Sequence, residues 1–93
     1  MSKHLVIFTM EGCPYCHDFK DMITKENIEF TDLDINEHSD EYDMFTKIVE
    51  NDLVPAFMIL DDQGGPTTFM APDRDYEELD EAIEKIKQIL NNQ

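Results

Sequence analysis

His4-Leu5-Val6-Ile7-Phe8-Thr9-Met10-Glu11-Gly12-Cys13-Pro14-Tyr15-Cys16 decides the fold of this chain, because an apolar run ends at a turn and both cysteines follow immediately. The run His4–Thr9 is short and rich in β-branched and aromatic residues, so it reads as a buried strand. Glu11-Gly12 breaks it. Pro14 suits the first turn of a helix, and apolar side chains then recur at helical spacing at Cys16, Phe19, Met22 and Ile23. Cys13 therefore falls at or just before a helix N-terminus, where unpaired backbone N–H groups and the macrodipole favour an anion, here a thiolate. Disulfide exchange runs through the thiolate, and this position promotes it. Cys16, one turn further and on the inner face, is expected to be shielded and to resolve the mixed disulfide that Cys13 forms.

Composition bounds the rest. Ninety-three residues at 41% hydrophobic, with six Phe and six Met, suffice for one modest core, so residues 1–93 are expected to form a single domain. The N-terminal stretch is too short and too poorly flanked for a signal peptide, and no apolar run approaches a membrane span. A cytoplasmic protein with no membrane association is expected, and in that reducing compartment paired cysteines point to catalysis, redox sensing or metal binding rather than a structural staple. The charge is extreme, with 22 acidic residues against 7 basic ones and a formal net charge of −15. That balance argues against nucleic acid, which requires clustered Lys and Arg. It fits a strongly solvated surface or, more sharply, selection of a partner with a basic docking patch.

Further along, Glu29–Ile35 alternates apolar and polar residues and reads as a second strand, entered through a turn at Asn27. Ser39 is expected to cap a helix running to about Asn51, with Tyr42, Phe45, Ile48 and Val49 facing inward. Val54–Leu60 is a near-continuous apolar strand. Asp61–Pro66 is turn chemistry, and Thr67–Met70 is a short returning strand. Asp73 or Asp75 is then expected to cap a last helix with apolar positions at Tyr76, Leu79, Ile83, Ile86 and Leu90. The order is βαβαββα, an α/β chain with a four-stranded mixed sheet flanked by three helices.

With these elements in place, the chain resembles the dithiol glutaredoxins of the thioredoxin fold. The resemblance rests on Cys13-Pro14-Tyr15-Cys16 after the first strand, on Val54-Pro55 opening the third, and on element order over nearly the whole chain. It implies a disulfide oxidoreductase with Cys13 as nucleophile and Cys16 as resolving thiol, and with glutathione as co-substrate and no bound cofactor. It also implies that Pro55 is cis, that the Val54 backbone pairs with bound peptide or glutathione, and that Pro14 and Tyr15 line the same site. Proline is the residue for which a cis bond is cheap, and it offers no N–H to compete for the ligand. Disulfide-containing proteins are the implied partners, acting on a monomer.

Departures from the family concern the electron donor. Met10 stands where many glutaredoxins carry a lysine that helps hold a glutathione carboxylate, and Tyr42 where an Arg or Gln often serves the same end. Gly64-Gly65 precede the fourth strand and read as a hairpin turn rather than as the family's glycine pair. Asp73 is expected at a helix start, offering N–H groups and a carboxylate to glutathione or acting simply as an N-cap. The Pro72-Asp73 step has some likeness to redoxins that serve ribonucleotide reductase and are fed by thioredoxin reductase, which is the alternative source of electrons.

Other classes fit less well. Cys13-Pro14-Tyr15-Cys16-His17 matches a haem c attachment pattern in form, without an export signal or a second axial ligand arrangement. No metal is expected, since zinc needs four ligands and His4 and His38 are not at finger spacing. Pro14 counts against a shared iron–sulfur cluster. The non-enzymatic alternative is a redox-sensitive acidic binding module.

Overall fold

The computed structural model describes residues 3–91. Its elements are β1 (Lys3–Thr9), α1 (Pro14–Lys25), β2 (Phe30–Asp34), α2 (Ser39–Val49), β3 (Ala56–Asp61), β4 (Thr68–Met70) and α3 (Leu79–Asn91), in the expected order. The strands form one mixed sheet in the order β2-β1-β3-β4. β1 runs parallel to β2 and antiparallel to β3, and β4 returns antiparallel to β3.

The central position of β1 explains its unbroken apolar character. Alternate residues point to opposite faces of a strand, and in β1 both faces are covered. Leu5 and Ile7, with Phe57 and Ile59 of β3, meet Phe19 and Ile23 of α1 and Ala82, Ile83 and Ile86 of α3. On the other face Phe8 and Ala56 meet Tyr42, Phe45 and Val49 of α2. Two helices thus cover one face and one covers the other. Among the described residues, no helix is long and apolar enough to cross a membrane.

Four expectations need correction. Ser39 is the first residue of α2, not its cap, and His38 precedes it without a capping side-chain bond. Ile48 is 51% exposed. At about 100° per residue, it points well away from Val49 and falls outside the stripe that Tyr42, Phe45 and Val49 turn toward the sheet. The largest difference lies before α3, which starts at Leu79, so neither Asp73 nor Asp75 caps it. Its first turn is instead closed by Glu81, whose carboxylate accepts the N–H groups of Glu78 at 3.2 Å and Glu77 at 3.4 Å, the returning half of a capping box. The third strand also opens at Ala56, two residues later than expected.

Register fixes what the sheet brings together. Phe8 pairs with Ala56, so the chain leaves β1 toward Cys13 at the end of the sheet where Val54 and Pro55 lead into β3. Gly64 and Gly65 lie in the turn between β3 and β4, with the Gly64 N–H on the Asp61 carbonyl at 3.2 Å. That is the hairpin role expected of them.

Candidate functional site

The turn that carries the cysteines is built from local contacts. The Cys13 N–H donates to the Met10 carbonyl at 3.2 Å, closing a reverse turn in which Gly12 takes φ +80, a conformation that glycine adopts at no steric cost. Pro14 is the first helical residue and Cys13 is the N-cap. The Cys13 Sγ accepts the Cys16 N–H at 3.2 Å, so a backbone donor that would otherwise lack an intrahelical partner points at sulfur. Both cysteines are free thiols, Cys13 partly exposed and Cys16 buried. Burial pushes the Cys16 thiol up to about 12, and its bond to Cys13 adds to the rise. The pair is therefore asymmetric, with an accessible sulfur that receives an N–H and an inner sulfur held as a thiol.

Beneath the turn, the buried Thr9 hydroxyl donates to Asp32 at 2.5 Å, and the other oxygen of Asp32 accepts from Lys20 at 2.9 Å. This chain of contacts ties the end of β1 to β2 and α1.

The opposite wall is held by contacts between distant residues. The Val54–Pro55 peptide bond is cis. The Tyr76 hydroxyl donates to the Pro55 carbonyl, and its ring stacks on Phe57 with centroids 5.8 Å apart. Burial raises the Tyr76 hydroxyl well above its usual range, with the charges of Cys16 and Asp75 adding to the effect. Asn51 bridges two loops, its Nδ2 donating to the Pro72 carbonyl at 2.6 Å and its Oδ1 accepting the Leu53 N–H at 2.7 Å. The Asp75 carboxylate accepts the Ala71 N–H at 2.9 Å and an Arg74 guanidinium N–H at 2.7 Å. Lys85 donates to the Asp75 carbonyl at 2.6 Å.

Between these walls lies a groove of about 600 Å³. Of the residues singled out from sequence, Tyr15, Val54 and Pro55 line it, while Cys13, Cys16, Pro14 and Asp73 do not, so the cysteine turn adjoins the groove through Tyr15. Asp73 sits at φ +66 in a turn, its N–H on the Tyr76 carbonyl at 2.8 Å, six residues before α3. It presents no helix N-terminus to a ligand. Met10 is 41% exposed beside the reactive turn. Tyr42 is buried against Phe8 and Phe45, and its hydroxyl is the buried side-chain polar atom without a hydrogen-bond partner among the described residues. Burial raises that hydroxyl, with the charges of Asp52 and Cys16 reinforcing the shift. Tyr42 fills core space where a polar ligand contact was considered. The roles of Asn51, Tyr76 and Lys85 in holding this wall were missed, because their partners lie 10 to 21 residues away in sequence.

The sequence model of the glutaredoxin family matches residues 5–63. The Gene 56 protein of Mycobacterium phage L5 is 31% identical over 80 residues, covering 86% of this chain and 72% of the phage protein. Among solved structures, the J-Trx1 fragment of ERdj5 aligns with a TM-score of 0.60 at 16% identity, over 98% of this chain and 43% of that fragment. A glutaredoxin from Brucella melitensis aligns with a TM-score of 0.56 at 18% identity, over 95% of this chain and 85% of that one. At such identities the two structures speak to the fold alone, which is the thioredoxin fold.

Proposed function

The chain belongs to the glutaredoxin family, and from that premise we propose that it is a dithiol–disulfide oxidoreductase in which Cys13 attacks and Cys16 resolves. The observation that carries this reading is the asymmetry of the pair. Cys13 is partly exposed and its sulfur accepts the Cys16 N–H, whereas Cys16 is 2% exposed and its thiol is raised to about 12. Attack by the Cys13 thiolate on a substrate disulfide breaks the S–S bond and releases one substrate sulfur, which takes up a proton. Cys16 then loses its proton as it attacks the Cys13 sulfur of the mixed disulfide, and the second substrate sulfur departs. The substrate gains two electrons and the protein keeps the disulfide. Proximity favours this closure over bimolecular attack. Val54 and Pro55, with Tyr15, supply the groove surface against which a substrate strand lies.

Glutathione is one candidate reductant of the resulting disulfide, as in the family at large. A second reading, reduction by thioredoxin reductase in the service of a disulfide-forming enzyme such as ribonucleotide reductase, is favoured by two observations. Met10 stands in place of the lysine, and the groove is lined by five carboxylates and one lysine, a poor setting for an anionic tripeptide. NADPH consumption with a small disulfide substrate tests both. Turnover with glutathione and glutathione reductase supports the first reductant, and turnover with thioredoxin reductase alone supports the second. Absence of turnover with either donor removes the oxidoreductase reading.

A further inference from the structure

The groove that Tyr15, the residue between Pro14 and Cys16, helps to line has an unusual electrostatic lining. Asp18 and Asp21 project from α1, Glu77 and Glu78 from the loop opposite and Asp80 from the first turn of α3, while Lys25 is the single cation among the lining residues. Three other cations are engaged elsewhere. Lys20 pairs with Asp32, Arg74 with Asp75 and Lys87 with Glu26. Among the described residues, Asp18, Glu77, Glu78 and Asp80 have no ion-pair partner, and Asp21 has only His17 at 3.5 Å. The acidic wall also has a fixed backbone, because the Glu77 and Glu78 N–H groups are bound by Glu81. Charges of one sign lining a cleft focus its field and raise the local concentration of oppositely charged ligands.

An independent feature surrounds the same site. Met10 is 41% exposed, Tyr15 67% and Leu53 44%. These apolar side chains flank Cys13 and Val54 in the chain, next to the groove-lining Tyr15, Val54 and Pro55, and exposed apolar groups at the edge of a cleft suit contact with a macromolecule. Tyr15, which lines the groove together with Asp18, adds an aromatic face suited to a guanidinium or ammonium group.

We infer that this groove receives a lysine- or arginine-bearing segment of a polypeptide, so that the preferred substrates are disulfides set in basic protein segments. The inference rests on the thiol–disulfide exchange proposed above and assigns its substrate class. Carboxylates at the groove surface attract such a segment and speed its encounter. The same charges repel anionic disulfides. The exchange itself is unchanged: the dithiol of Cys13 and Cys16 is oxidised by two electrons, the substrate S–S bond breaks, and both substrate sulfurs leave as thiols.

The test uses the full, prereduced chain in single turnover with three peptides closed by the same internal disulfide and flanked by lysines, serines or glutamates. Each rate is divided by that of the same peptide with dithiothreitol, which removes differences in intrinsic reactivity. The lysine-flanked peptide is expected to react about tenfold faster than the glutamate-flanked one at low salt, with the gap closing at high salt. Charge reversal by Asp18→Lys with Asp21→Lys, or by Glu77→Lys with Glu78→Lys, is expected to invert the order. The salt series needs no variant and stands if either double substitution fails to fold. Equal normalised rates for the three peptides, or a preference indifferent to salt, would overturn the substrate class while leaving the exchange chemistry intact. Failure to reduce any peptide that dithiothreitol reduces would instead overturn the exchange reading.

Discussion

The turn Met10–Cys16 and the loop Ala71–Leu79 stand at one end of the same sheet, yet they are held by different kinds of force. The turn is nearly self-contained. One backbone bond from Cys13 to Met10, a glycine at φ +80, a proline at the helix start and the Cys16 N–H on the Cys13 sulfur define it. The loop has short-range bonds of its own, from the Ala71 N–H to the Asp75 carboxylate and from the Asp73 N–H to the Tyr76 carbonyl. Its place against the sheet, however, comes from Tyr76 reaching Pro55, Asn51 reaching Pro72 and Lys85 reaching the Asp75 carbonyl. Short-range chemistry therefore positions the Cys13 sulfur, and tertiary contacts position the groove wall on which the proposed substrate would lie. Substitutions in the turn should act on chemistry and local strain, whereas those in the loop should act on global stability and substrate selection.

The largest stability effect is expected in the loop. Tyr76→Phe keeps the ring on Phe57 but leaves the Pro55 carbonyl without its donor, so it should cost about 1–3 kcal/mol, the usual penalty for an unsatisfied buried group. Urea denaturation of the reduced protein measures it, and a change near zero would mean that water replaces the hydroxyl. Gly12→Ala should cost about 1 kcal/mol. No heavy atom lies within 4 Å of the added Cβ, so the penalty is one of backbone conformation alone. A much larger loss would show that the turn depends on tertiary packing after all, which would erase the contrast.

The third effect is absent at neutral pH. Cys16 is held at about 12 in the fold against 9.0 for the ordinary thiol. Between those values the unfolded chain gives up a proton that the folded chain retains. Stability linked to Cys16 is thus complete below pH 9 and declines as pH rises toward 12. Cys16→Ala should flatten this part of the alkaline stability profile, whatever it does to stability at neutral pH. The hydroxyls of Tyr42 and Tyr76, also raised, would leave a residual slope.

The same contrast explains what could be read from sequence. Each of β1, the turn, α1, β2 and β3 carries a local signature, so their order was legible, whereas the association of the cysteines with Val54 and Pro55 came from the family resemblance. The start of α3 was not. Tyr76 lies three residues before Leu79 and seven before Ile83, which continues the helical apolar rhythm, but its ring is in the core because Phe57 and the Pro55 carbonyl receive it. Asp75 has the composition of a helix cap and instead accepts the Ala71 N–H. Side chains whose partners are 20 or so residues away leave no periodic trace. Part of the groove's charge follows Cys13 directly in sequence, at Asp18 and Asp21, while Glu77, Glu78 and Asp80 come from a separate stretch that only the fold brings opposite.

The central claim is that Cys13 attacks and Cys16 resolves. The most direct measurement is intact-mass spectrometry of the Cys16→Ser variant mixed with a disulfide-bridged peptide, beside the Cys13→Ser variant treated alike. The account predicts a stable mixed disulfide on Cys13 in the first, while the second neither forms an adduct at a comparable rate nor turns over. An adduct that forms faster through Cys16 in the Cys13→Ser variant, or none in either, would contradict it.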